Sequence, residues 1–211
     1  MDILLYLAIL IFSVIVHEVS HGLAALWQGD DTAYRHGRLT LNPLPHLDMM
    51  GSIVLPLVCA MAHVPVLGWA KPVPIDPSRF DHYKLGTVIV SLAGPLSNFL
   101  IACVAALIFR WSVHQPLASM GLEFLPAFLV KAIFLNLALM VFNLLPVPPL
   151  DGSKIAAVFS SAAERFLDSI SAYGIFIILG LMVFGLLGRI IFPPILFLFR
   201  CLTGGAGAMV L

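Results

Sequence analysis

Residues 3–27 form an apolar run in which Glu18 is the only charged side chain. A bilayer-crossing helix needs about 20 such residues. Residues 86–109 and 124–149 are runs of the same kind, and 170–202 is apolar again. These lengths predict an all-α polytopic membrane protein, a bundle of about four to six transmembrane helices, because a helix satisfies its own backbone in lipid. Composition agrees: 61% of the 211 residues are hydrophobic and 10% are charged, more apolar surface than a soluble domain of this size can hide. The formal net charge is zero, which argues against nucleic acid as a partner. Cys59, Cys103 and Cys201 lie in apolar runs with no ligand-like spacing, so core packing is expected for all three and no disulfide framework is implied. The first run has no basic start, so it reads as a retained span and not as a removable leader.

The stretches between spans are more varied. Y-R-H-G-R-L-T-L, Tyr34–Leu41, favours extended structure and suggests a short β-hairpin. Residues 51–68 are apolar but broken by Pro56, Pro65 and His63, which suits a re-entrant segment. Trp69–Pro74 carries spaced prolines and reads as an extended edge. Residues 153–169 are polar enough for an interfacial or connecting helix. The 170–202 run, with four glycines, Arg189 and Pro193-Pro194, suits either one long tilted helix or a span plus a broken hairpin. One domain, 1–211, is expected, with its core at about 3–152 and further helices at 153–211. Basic residues fall in 29–50, 70–85 and 151–169. The positive-inside rule puts these on the cytosolic side of the cell membrane and the N-terminus outside. The first and third spans then run in the same direction and end at the same cytosolic-facing depth.

Within the first run stands V-H-E-V-S-H-G-L, Val16–Leu23. On a helix, His17 and His21 lie one turn apart on one face, so both imidazoles can hold one metal ion, with Glu18 beside that ion's water. This is the H-E-x-x-H pattern of zinc hydrolases. Ionisable groups inside a span are costly unless functional. A zinc site built for chemistry takes three protein ligands and keeps a fourth position open. Asp151, closing the third span in F-N-L-L-P-V-P-P-L-D-G, is a carboxylate at matching depth. Its other reading is a cap on the helix that follows. Asn98, in A-G-P-L-S-N with Ser91 and Gly94 on one helical face, reads first as helix packing and second as part of a site. His36, His46, His63, His82 and His114 share no spacing with the motif and read as loop or interface histidines.

H-E-V-S-H, G-W-A-K-P-V-P, S-L-A-G-P-L-S-N and F-N-L-L-P-V-P-P-L-D-G, in this order, resemble the site-2 protease family of intramembrane zinc metalloproteases, in its small stand-alone form without a PDZ or CBS domain. The likeness covers roughly residues 5–160. It implies that His17, His21 and Asp151 bind one Zn²⁺ per chain, that Glu18 is the catalytic acid/base, and that Asn143 helps to hold the substrate backbone. It implies hydrolysis in or next to a transmembrane segment of another membrane protein, locally unwound, within the lipid bilayer. Tyr34–Leu41 and Trp69–Pro74 are then candidate edges for holding that peptide by strand addition. Two other readings of the same cluster are a divalent-metal transporter and a catalytically silent membrane scaffold. Transport needs polar groups through both leaflets, and residues 86–109 hold no charged side chain.

Overall fold

A computed structural model describes residues 2–54, 58, 61, 70–115 and 121–205. Its α-helices are α1 (Asp2–Trp27), α2 (Thr32–Arg35), α3 (Tyr83–Ser112), α4 (Leu125–Asn143), α5 (Asp151–Phe159), α6 (Ser161–Ile170), α7 (Gly174–Val183) and α8 (Leu186–Thr203). Among the described residues, five helical stretches are long and apolar enough to cross a membrane: Leu5–Trp27, Tyr83–Ser112, Leu125–Asn143, Ser161–Val183 and Leu186–Thr203. The chain is an all-α, multi-pass membrane protein.

The 30-residue α3 is the hub, packing on α1, α4, α5 and α8. Lipid tails are as apolar as leucine, so close packing must hold such helices together. Ala102, Ala105 and Ala106 give α3 the small face that lets α4 approach. Phe109, Ile133, Leu137, Ile195 and Phe199 fill the seam among α3, α4 and α8, each at most 1% exposed. Helix α4 stops at Asn143 because Pro146, Pro148 and Pro149 follow. The chain turns through a loop with a cis Pro148–Pro149 peptide and re-enters helix at Asp151. Gly152 makes this turn possible: a Cβ there would collide with the carbonyl oxygens of Leu144 and Leu145.

The expected β-hairpin is absent; no strand occurs among the described residues. Extended propensity across Tyr34–Leu41 yields to local side-chain chemistry. The buried Asp30 accepts from the Thr32 amide at 3.0 Å and from its hydroxyl, which starts α2. Arg35 then reaches back one turn to Asp31 at 2.6 Å, and Gly37 at φ 63° turns the chain away. Residues 70–76 form a loop without regular secondary structure; Trp69 lies outside the described residues. Of the 51–68 segment read as re-entrant, residues 51–54 continue a π-helical turn from Met49, and most of the remainder lies outside the described residues. The 153–169 stretch is two helices, broken at Ser160, whose hydroxyl accepts from the Ala162 and Ala163 amides. The C-terminal run is not one long helix: Gly185, at φ 67°, separates α7 from α8. Cys103 is half-buried, but Cys201 is exposed on α8 and not packed in the core; Cys59 lies outside the described residues.

Candidate metal centre

Helix α1 holds His17 and His21 with ring centroids 4.6 Å apart and planes at 85°. Both are buried, at 6% exposure each. Helix α3 passes behind them and fixes which nitrogen of each ring carries its proton. His21 Nδ1 lies 2.6 Å from the Val90 carbonyl. A carbonyl only accepts, so Nδ1 carries a proton, and in the neutral ring Nε2 keeps its lone pair.

His17 is set by a longer chain of the same logic. Asn136 Nδ2 donates to the Ala132 carbonyl at 2.9 Å, which leaves its Oδ1 to accept from Asn98 Nδ2 at 3.0 Å. Asn98 Nδ2 also donates to the Ser13 carbonyl at 3.3 Å. The Asn98 oxygen therefore faces His17 Nδ1, 2.7 Å away, and accepts its proton. Asn98 and Asn136 are both fully buried, where a partnerless amide would cost roughly 1–3 kcal/mol.

The two Nε2 atoms thus face each other bare, 3.0 Å apart. Asp151 Oδ2 completes the group at 3.3 Å from His17 Nε2 and 3.1 Å from His21 Nε2. Asp151 is itself 5% exposed. With both rings neutral, three lone-pair atoms converge here. Such a group is stable around a cation. A tetrahedral zinc with bonds of about 2.0–2.1 Å would space its donors about 3.3 Å apart, close to what is found. Gly94 keeps the neighbouring space open, since a Cβ there would strike Nε2 of both rings. The residues fit a His₂Asp zinc site, in keeping with the ligand types zinc prefers. Lys154 Nζ sits on the other Asp151 oxygen at 3.2 Å, leaving Oδ2 to the histidines.

Glu18 is half-buried, and its Oε2 accepts from the Val73 amide at 2.9 Å. Asn143 closes α4, where its Nδ2 donates to the Leu139 carbonyl at 2.9 Å. Of the other histidines, His36 and His82 are exposed in loops, while His46 is 2% exposed and held by the Thr40 carbonyl at 2.9 Å. Sequence alone favours helix packing for Asn98, yet its Oδ1 lies 2.7 Å from His17 Nδ1. The signal was its alignment with Ser91 and Gly94 on one face of a span. Asn136 carried no sequence signal beyond being an amide in an apolar run. An apolar groove of about 700 Å³ runs between α1, α3 and α4, with Ser13, Ser20, Ser97 and Asn136 as its polar lining.

Comparison with known proteins points the same way. The sequence model of Peptidase family M50 matches residues 112–186. The chain is 38% identical over 197 residues to a Bacillus subtilis (strain 168) protein named "Putative zinc metalloprotease YwhC", covering 89% of this chain and 84% of that one. It is 29% identical over 195 residues to "Putative zinc metalloprotease Rip2" of Mycolicibacterium smegmatis, covering 90% of this chain and 70% of the relative. The Rip2 protein of Mycobacterium tuberculosis (H37Rv) is 32% identical over 144 residues, 66% of this chain and 51% of its own length. No solved structure matches.

Proposed function

The chain belongs to peptidase family M50, the site-2 proteases, and is an intramembrane zinc metalloprotease; on that premise we propose that His17, His21 and Asp151 hold its zinc and that Glu18 is its acid/base. The observation that carries the assignment is the convergence of two Nε2 atoms and one carboxylate oxygen within 3.3 Å of one another.

Zinc, when bound, supplies Lewis acidity that polarises a carbonyl and makes hydroxide available near neutral pH. The protein's own groups do the remainder. Asn98 and the Val90 carbonyl keep both imidazoles in the tautomer that presents Nε2. Glu18 takes the proton of the attacking water and returns it to the leaving amine. The amide nitrogen of Asn143 is engaged by its own helix, so its oxygen is the atom it offers to a peptide N–H.

The substrate is a membrane protein with a locally unwound transmembrane segment. Unwinding is required because a helix bonds its carbonyls internally and shields them from attack. The groove between α1, α3 and α4 supports approach of that segment, being chiefly apolar, and Asn136 in its wall bonds Asn98, the partner of His17. The whole chain serves as one membrane-embedded domain, with a catalytic core at about 3–152, an external N-terminus and the site toward the cytosol of the cell membrane, following its basic loops.

Purified protein should contain about one zinc per chain and cleave a reporter transmembrane peptide until a chelator is added. Full cleavage after zinc removal, or unchanged zinc stoichiometry in Asp151→Ala, would overturn the assignment.

A further inference from the structure

The Glu18 carboxylate is not held by its own helix. It is held by the loop segment Ala70–Asp76, through one hydrogen bond from the Val73 amide at 2.9 Å. In the stretch Pro72-Val73-Pro74 that amide is the sole N–H, because proline has none.

The segment is tied down on both sides of that contact. The Lys71 amide donates to the His46 carbonyl at 2.8 Å. Arg38, 7% exposed, donates through Nη2 to the Lys71 carbonyl at 2.7 Å and to the Pro72 carbonyl at 3.3 Å. The Asp76 amide donates to the buried Asp30 at 2.7 Å. Gly22 removes the obstacle beneath: a Cβ there would meet Val73 Cγ1 at 3.0 Å and Leu39 Cδ2 at 2.5 Å. Val73, 6% exposed, therefore seats directly on α1, one turn beyond Glu18.

Strand addition needs free backbone donors and acceptors along an edge. At residues 71–73 the Lys71 N–H and C=O, the Pro72 C=O and the Val73 N–H are all engaged within the protein.

We propose that residues 70–76 are a strap that positions the Glu18 carboxylate, with Val73 as the contact and Arg38 as the positioning residue that tensions it. This rests on Glu18 being the acid/base. A buried guanidinium facing two carbonyls is a costly arrangement to maintain, and here it fixes a backbone amide against the group that must move a proton. Misplacing such a group by about 1 Å can cost on the order of 100-fold in rate.

The test is steady-state cleavage of a reporter transmembrane peptide by Arg38→Ala, Arg38→Lys, Val73→Pro and Glu18→Gln, with zinc measured in each. Because Val73→Pro alters packing as well, a fifth variant replaces only the residue-73 amide by a backbone ester and keeps the valine side chain. The expected result is a kcat lower by roughly 10- to 100-fold in Arg38→Ala and in the ester, KM within about threefold, zinc unchanged, and partial recovery in Arg38→Lys. A raised KM with normal kcat would overturn the proposal and make the segment a substrate clamp. Normal kinetics in the ester, or loss of zinc with it, would overturn it too. Glu18→Gln separates the two readings: full activity there removes the acid/base assignment itself, whereas an inactive Glu18→Gln beside a fully active ester removes only the strap.

Discussion

The helices that carry the metal cluster and the helices that follow it are both apolar, but they are built on different rules. In each of the first three spans, 39% of the most apolar window is buried inside the protein; in the last two the share is 11% and 22%. The first group hides polar side chains: Ser13, His17, His21, Ser91, Asn98, Asn136 and, at the end of the loop after α4, Asp151. The C-terminal group shows large apolar side chains outward, with Phe176, Val183 and Phe184 each at least 70% exposed. An apolar span can therefore serve as lipid-facing wall or as insulation around a polar network. The difference lies in which residues interrupt it, not in its mean hydropathy.

Several measurements would break or sharpen that contrast. The largest effect should come from the metal cluster. His21→Ala removes one of three donors, and purified protein should lose its zinc and all measurable cleavage; retained zinc would separate the ring from the site. Gly94→Ala keeps every ligand yet places a methyl against both Nε2 atoms, and zinc content should again fall sharply. Glu18→Gln should keep zinc and melting temperature while activity drops by about 10²- to 10⁴-fold, the usual worth of a positioned acid/base.

Asn98→Ala probes the network one layer out. Zinc affinity, measured by competition with a chelator, should weaken by about 10- to 100-fold, as expected when a histidine ligand loses its outer partner. An affinity unchanged by this substitution would return Asn98 to helix packing. In the C-terminal wall, Phe176→Leu should alter activity by less than about twofold, since one apolar group replaces another on an exposed face.

A small pH effect belongs to the loop beyond α1. Burial alone would raise the Asp30 carboxyl; hydrogen bonds from the Thr32 hydroxyl, the Asp76 amide and the Thr32 amide outweigh it and hold the carboxyl below its usual range. A carboxyl depressed in the folded state stabilises above the unfolded pKa of about 3.9, and that stabilisation is lost as pH falls through the folded value. Hydrogen exchange at the Thr32 and Asp76 amides, corrected for intrinsic rate, should be flat from pH 7 to 5 and rise below about pH 4. Asp30→Asn should remove that dependence.

The proposed triad was legible because helix periodicity alone sets His17 against His21, and because the expected direction of the first and third spans brings Asp151 to their depth. Asn98 and Asn136 were far less so. An asparagine inside an apolar span looks the same whether it bonds to its own helix, as Asn143 does through Nδ2, or to a ligand ring across a helix interface. The hairpin expectation failed for a local reason: Asp30 accepts from Thr32 in a tight turn and Asp31 braces Arg35, contacts that a propensity scale does not weigh against extended preference.

By itself, then, the order of residues determined that the chain carries spans long and apolar enough to cross a membrane as helices, and a histidine pair on one helical face with a candidate carboxylate partner. Those features follow from transfer energies and from the pitch of a helix, which act over a few residues. Tertiary structure alone decided the tautomer of each histidine, the clearance that Gly94 leaves beside them, and the meeting of the Val73 amide with Glu18 across a separation of 55 positions. Each of these depends on which backbone carbonyl or amide arrives from a distant segment, and sequence spacing does not encode such arrivals.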